Sequence, residues 1–183
     1  MDRNSNVYKM CACAVMTALM AALCPMSVPI GPIPVSLSVL VILIAVYLLG
    51  TRSALISYCV YMLLGAAGMP VFSGFQGGLI KLTGPTGGYL IGFVPMIIIA
   101  GFFIKRSGGR FAVTVFGMVL GVAAAYLFGT VWFVLMMRCG VMYALSVCVF
   151  PFIPIDLAKI LAAAVFGRVI KRALIKAHLL PEP

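Results

Sequence analysis

The sequence predicts an all-α integral membrane protein, built as a compact bundle of six transmembrane helices with two long apolar loops on the extracellular side. Hydrophobic residues make up 64% of the 183 residues and charged residues only 9%, whereas a soluble domain carries about 25% charge. The mean hydropathy is +1.24. No change in composition marks a second domain, so we expect a single membrane domain over residues 1–183.

Proline, glycine and charged residues divide the chain into apolar segments. Several segments are shorter than the roughly 20 residues that a spanning helix needs, so we expect tilted helices, a thinned bilayer or loops that fold back into the bundle. No repeat of fixed period is visible. The predicted segments cover residues 7–24, 35–50, 53–68, 88–104, 111–137 and 152–170.

The basic residues indicate how the bundle is oriented. If both termini are on one side, ten of the thirteen Lys and Arg residues share that side, and the positive-inside rule makes it cytoplasmic. These residues lie at helix ends without interleaved aromatics, so they do not indicate nucleic-acid binding. Lys81, Arg138 and Lys159 lie on or near the opposite face with Asp156. The ten are Arg3, Lys9, Arg52, Lys105, Arg106, Arg110, Arg168, Lys171, Arg172 and Lys176.

Two irregular but apolar segments lie on the outer face. Residues 25–36 carry four prolines within ten positions, which favours extended backbone. Residues 69–88 are rich in glycine. Irregular backbone at membrane depth is tolerated where it packs in protein or lines a cavity. The outer end of the bundle is therefore predicted to hold a covered pocket.

Asp156 is the one acidic residue that falls inside an apolar segment. A charge at bilayer depth costs about 2.5–3.5 kcal/mol, so its presence calls for a function. Lys159 follows three residues later and lies on the same helix face. The two side chains could simply neutralise each other at a helix start, where preceding prolines favour a carboxylate. That explains Asp156 but leaves Lys159 in apolar surroundings.

The residues favour binding over catalysis. His178 is alone near the C-terminus, no second buried carboxylate is available for acid–base work, and no phosphate-binding G-x-x-x-x-G-K-[ST] motif occurs. The six cysteines lack paired ligand spacing, so neither a metal site nor a cofactor is expected. Tyr89 and Tyr143 could pack in the bundle or wall a ligand site, and Gln76 could cap its own backbone or contact a ligand.

Small residues recur every four positions in the first helix, at Ala14, Ala18 and Ala22. This spacing lets another helix approach closely in lipid. Internal packing explains the pattern equally well.

Four blocks, taken in order, resemble one family. They are residues 30–36 (Ile-Gly-Pro-Ile-Pro-Val-Ser), 64–72 (Leu-Gly-Ala-Ala-Gly-Met-Pro-Val-Phe), 84–93 (Gly-Pro-Thr-Gly-Gly-Tyr-Leu-Ile-Gly-Phe) and 150–159 (Phe-Pro-Phe-Ile-Pro-Ile-Asp-Leu-Ala-Lys). They are similar to the BioY family, the biotin-specific substrate-binding (S) component of energy-coupling factor (ECF) transporters. The resemblance covers most of the chain, and its most specific part is the Gly-Pro-Thr-Gly-Gly-Tyr stretch.

The resemblance implies a six-helix fold in a bacterial cell membrane, with a pocket that opens outwards. It also implies a transmembrane coupling protein (T component) and two cytoplasmic ATPases as partners, with the alanines of the first helix as the docking surface. In such transporters the loaded S component is thought to tip over in the membrane.

The implied ligand is biotin. Its ureido ring would meet Asp156 and Lys159, its bicyclic rings would lie near Tyr89 and Tyr143, and its carboxylate would need a group such as Gln76 or Lys81. Gln76 and Lys81 are candidates because a carboxylate needs a cation or an amide donor. The chain departs from the family's pattern at three positions. Phe75 interrupts the glycine-rich loop, Ile155 replaces a common glycine, and Leu90 leaves no basic residue after the Gly-Gly-Tyr motif. An S component for another vitamin, or a structural or regulatory membrane subunit, are the alternatives.

Overall fold

The computed structural model describes residues 3–30 and 33–177 of the chain. Within these ranges the fold is mostly helical, with one short β-hairpin near its start. The elements are α1 (Arg3–Leu23), β1 (Ser27–Ile30), β2 (Ile33–Ser36), α2 (Ser38–Ala66), α3 (Leu79–Thr83), α4 (Gly87–Arg106), α5 (Phe111–Met137), α6 (Val141–Cys148) and α7 (Phe152–Lys176).

Among the described residues, three helices are long and apolar enough to cross a membrane by themselves: α2, α4 and α5, with mean hydropathies of 2.1 to 2.3 in their most apolar windows. Helices α6 and α7 are bent by 46° at a short break and qualify together as a fourth, broken span. The fold is thus that of a multi-pass membrane protein.

Helix α2 is interrupted at Gly50, whose φ of 77° and ψ of 171° are open to glycine and strained for other residues. Ser38, at the start of α2, and Tyr61, near its end, line the same cavity. A continuous helix, rising about 1.5 Å per residue, would put them more than about 30 Å apart. The chain therefore turns back at Gly50, and the two arms, 38–49 and 51–66, coincide with two of the predicted segments.

Helices α4 and α5 pack closely because glycines face large side chains. A Cβ on Gly88 would lie 2.1 Å from the Cβ of Trp132, and one on Gly129 would lie 2.4 Å from the ring of Tyr89. Neither position can take a side chain without displacing the opposite helix, as is typical of helix contacts in lipid. This packing fixes the position of Tyr89 relative to α5.

The two predicted irregular segments differ in structure. Residues 27–30 and 33–36 of the proline-rich segment are extended, as predicted, and they pair as antiparallel strands in which Pro29 lies opposite Pro34. The pairing was not predicted, because prolines lack the N–H that a strand ladder uses. The glycine-rich segment is irregular up to Gly78 and then forms the short helix α3 before α4 begins at Gly87.

Candidate functional site

A cavity lies where the hairpin and α3 meet the helix ends, with a volume of about 730 Å³ that includes space open to solvent. Strand β2 and helices α2 to α7 all contribute to its wall. Most of the lining is apolar or aromatic, and its charged residues are Lys81, Asp156 and Lys159. The other lining residues are Pro34, Ser36, Ser38, Val39, Tyr61, Ser73, Thr86, Tyr89, Leu90, Phe93, Val122, Ala125, Tyr126, Cys148 and Phe152.

Asp156 and Lys159 form an ion pair at this wall. The Lys159 ammonium donates to Asp156 Oδ1 at 2.8 Å and to the carbonyl of Ser36 at 2.7 Å. The Asp156 side chain is buried, with 4% exposed, and the Lys159 side chain is largely buried, with 10% exposed. The N-terminal half of α7 supplies both residues, at i and i+3, and the bond to Ser36 ties this part of the helix to strand β2. The predicted juxtaposition is confirmed as geometry.

Tyr126 completes the contacts of the carboxylate. Its hydroxyl donates to Asp156 Oδ2 at 2.6 Å, and its ring lines the cavity from α5. Sequence reasoning missed this residue because it lies thirty positions from Asp156, so no local spacing reveals the pair. The available signal was general: a phenol in an apolar helix needs a polar partner for its hydroxyl.

The pair retains hydrogen-bonding capacity for a ligand. A carboxylate accepts about four hydrogen bonds and an ammonium donates three. The described protein groups use one acceptor position on each oxygen of Asp156 and two donors of Lys159. Each carboxylate oxygen can thus accept one further N–H, and Lys159 can donate one further hydrogen bond. A planar group that carries a donor next to an acceptor suits this arrangement.

Tyr89 also lines the cavity, as predicted from the sequence. Its hydroxyl donates to the carbonyl of Cys148 at 3.2 Å, which links α4 to the end of α6. Its ring lines the cavity together with the rings of Phe93 and Phe152, which are both buried. Tyr89 therefore contributes surface to the cavity while its polar end is bonded to the protein backbone.

Lys81 and Gln76 lie toward the mouth. Lys81 is half-buried in α3 and lines the cavity, and its ammonium donates to Gln76 Oε1 at 2.8 Å. Burial lowers the pKa of Lys81 below its ordinary value of 10.5. Gln76 is exposed and lines a shallower depression next to the main cavity, sharing Pro34, Lys81 and Thr86 with it. Gln76 thus reaches the main cavity only through Lys81.

Tyr143 is not part of the cavity. It is 56% exposed on α6 and is not among the lining residues. The buried residues of this helix are Ala144 and Cys148, one turn apart, so the helix presents that face to the bundle and turns Tyr143 outward. The prediction that Tyr143 lines the pocket does not hold in this structure.

The three alanines of α1 lie on the exposed side of the helix. The buried positions on the same stretch are Met16, Thr17 and Met20, and the Thr17 hydroxyl bonds the Ser57 carbonyl of α2. The alanines are thus not buried between α1 and α2, and the internal-packing explanation fails. Their surface is open to lipid or to another helix.

The described part of the chain contains no cluster of three or more His, Cys, Asp or Glu side chains that could hold a metal ion. The main cavity offers an ion pair with spare hydrogen-bonding positions, aromatic walls and one further cation. This arrangement can bind a small polar group with an apolar body, and it lacks the paired acid and base that a hydrolytic reaction needs.

The chain is similar to known proteins along most of its length. It is 35% identical over 159 residues to the biotin transporter BioY of Thermotoga maritima, covering 86% of this chain and 92% of the relative. It is 36% identical over 154 residues to the probable biotin transporter BioY of Pyrococcus horikoshii, covering 84% and 90%.

The fold also matches a solved structure. A crystal structure described as the S-component for biotin from an ECF-type ABC transporter superposes with a TM-score of 0.86 at 29% identity, covering 94% of this chain and 95% of that one. The sequence model of the BioY family matches residues 1–176. The chain belongs to the BioY family.

Proposed function

We propose that this protein captures biotin at the membrane surface as the substrate-binding component of an ECF transporter. The observation that carries the proposal is the buried Asp156–Lys159 pair with unused hydrogen-bonding positions, in a chain that matches a biotin S-component over 94% of its length. A binding role without catalysis agrees with the family, whose curated members are transporters.

The ureido ring of biotin fits the pair. One N–H of the ring can donate to a spare acceptor position of Asp156 while the neighbouring carbonyl oxygen accepts from the spare donor of Lys159. The second N–H points to the other side of the ring. Hydrogen bonds to charged groups contribute about 1.5–3 kcal/mol each. The apolar rings of the ligand would then lie against Tyr89 and the neighbouring aromatic residues.

Lys81 is the group we assign to the biotin carboxylate. It is the one remaining cation among the residues that line the cavity, and its position near the mouth suits the flexible end of the ligand. Gln76 supports it by accepting its hydrogen bond. We place the ligand's carboxylate within reach of the Lys81 ammonium, with Gln76 orienting that ammonium.

We propose that six helical segments cross the membrane: α1, the two arms of α2, α4, α5 and α7. The end that carries the turn at Gly50 and the basic residues of α4 and α7 would be cytoplasmic by the positive-inside rule, with both termini on that side. The hairpin and the glycine-rich segment would then face outward, at the surface of a bacterial cell.

The partners we propose are a T component and two cytoplasmic ATPases, with the exposed alanines of α1 as the docking face. Ala18→Leu should leave biotin affinity unchanged and block assembly with the T component, because the added branch holds the partner helix away. Ala123→Leu, the same change at an exposed position of α5, should affect neither. If Ala18→Leu assembles fully, the docking face is elsewhere.

Calorimetry on the purified protein in detergent tests the ligand. We expect tight biotin binding by the wild type, weakened at least roughly tenfold in Asp156→Asn, since the loss of one charge-assisted bond is worth about one decade or more of affinity. Equal affinity in the mutant would remove Asp156 from the site. If the folded wild type does not bind biotin but binds another vitamin, the proposed ligand is wrong and the family assignment stands.

A further inference from the structure

A second cavity lies at the opposite end of the bundle, where no site has been described above. Its volume is about 1650 Å³, including space open to solvent. It is bounded by the reversal of α2 at Gly50, the turn between α4 and α5, and the last turns of α7. Four basic residues line it: Lys105, Arg168, Lys171 and Arg172.

No carboxylate is among the described residues that line this cavity. Asp156 is bonded to Lys159 in the other cavity. The sequence has only two further acidic residues, Asp2 and Glu182. The described wall of this cavity is therefore positively charged, which favours an anionic ligand.

Two of the cations are positioned by neutral groups. The Arg168 guanidinium donates to the carbonyl of Gly109 and lies 5.9 Å from the centre of the Phe111 ring. The Lys171 ammonium lies 5.9 Å from the centre of the Tyr47 ring. Carbonyl and cation–π contacts hold the side chains without cancelling their charge. The positive groups are thus arranged in advance for an anion.

The remaining wall is open backbone and apolar side chains. Gly50, Gly108 and Gly109 all line the cavity with positive φ, and a Cβ at any of them would meet nothing within 4 Å. The backbone is therefore accessible to a ligand at these turns. The apolar lining residues are Val46, Leu48, Leu49, Ile104 and Ile175.

From this combination we propose that the cavity binds the headgroup of an anionic phospholipid, with its phosphate among the four cations and the start of its acyl chains against the apolar wall. Basic pockets between membrane helices commonly hold such headgroups. A soluble phosphate would satisfy the same cations but would leave the apolar wall uncovered, so the lipid is the occupant that uses the whole site.

The test uses the full chain, purified in detergent and stripped of lipid. Dioleoyl phosphatidylglycerol is titrated while lipid retention is followed by native mass spectrometry and thermal protection by the unfolding midpoint. Phosphatidylcholine and inorganic phosphate are run in parallel. The variant Lys171→Gln/Arg172→Gln removes two cavity charges. The matched control, Arg52→Gln/Arg106→Gln, removes two charges from exposed residues outside the cavity.

We expect phosphatidylglycerol to bind the wild type in preference to phosphatidylcholine, and the cavity variant to weaken that binding at least roughly tenfold, while the control weakens it by less than about threefold. If the cavity variant does not elute as a folded protein, Lys105→Gln/Arg172→Gln is used in the same way.

Three results would overturn the proposal. Equal weakening in both double variants would indicate diffuse surface charge. Equal protection by inorganic phosphate would indicate a soluble-anion site. If phosphatidylglycerol does not bind the wild type in preference to phosphatidylcholine, the four cations have a different partner, such as an acidic protein segment.

Discussion

Asp156→Asn should destabilise the empty protein because it leaves the Lys159 charge without its counterion. The Lys159 side chain is only 10% exposed, and its one other described partner is the carbonyl of Ser36. Removing one member of a buried ion pair costs about 3–5 kcal/mol. The contact with the Ser36 carbonyl and the neighbouring cavity reduce this cost. We therefore expect the free energy of unfolding to fall by an amount near the lower limit, about 3 kcal/mol.

A loss of about 3 kcal/mol should lower the unfolding midpoint by about 6–12 °C, since each kcal/mol shifts Tm by about 2–4 °C in a chain of this size. The assay is thermal unfolding in detergent without ligand. The double variant Asp156→Asn/Lys159→Gln removes both charges and should recover at least half of the loss, because replacing a buried pair by neutral groups is far less costly than breaking it.

The reasoning fails if Asp156→Asn melts within about 2 °C of the wild type, or if the double variant is as unstable as the single one. The first result would mean that water screens Lys159 fully. The second would mean that the loss comes from the bond between Asp156 and Tyr126 and has no electrostatic origin.

Three further outcomes are expected. Tyr126→Phe removes one donor from Asp156 and should weaken biotin binding by about 3–10-fold in calorimetry, whereas Tyr143→Phe should have no effect. Biotin affinity should fall as pH rises through the lowered pKa of Lys81, because only the ammonium attracts a carboxylate; Lys81→Arg, which stays charged, should move that fall beyond the accessible pH range. Gly88→Ala should destabilise by about 1–3 kcal/mol in thermal unfolding, because its Cβ would meet Trp132. Gly140→Ala meets no atom within 4 Å and should change stability by less than about 0.5 kcal/mol.

The parts of the site that follow from local sequence could be predicted. Asp156 and Lys159 are three residues apart on one helix, so helical geometry alone puts them together. The break near Gly50 could also be predicted, because glycine with Arg52 two residues later interrupts an apolar run. The spacing of the alanines in α1 could be predicted, but not whether they face the bundle or the lipid, because a period of four fits both.

Long-range contacts could not be predicted. Tyr126 lies thirty residues from Asp156, and its bond depends on how α5 packs against α7. Tyr143 was misplaced because α6 is a separate short helix, bent by 46° relative to α7, and the sequence suggested no orientation for it. The contact from Lys159 to Ser36 spans 123 residues and depends on the hairpin, whose prolines argued for extended chain but not for strand pairing.

The charges around the biotin cavity add up differently with and without a ligand. Lys81 and Lys159 contribute two positive charges and Asp156 one negative charge, so these side chains give the pocket a net charge of plus one. A monoanion such as the proposed biotin brings the sum to zero. Burying an uncompensated charge in a medium of low polarity is costly. If the protein tips within the bilayer during transport, moving the filled pocket should cost less free energy than moving the empty one, because the filled pocket is electrically neutral. The transported ligand would then be the counterion of the pocket.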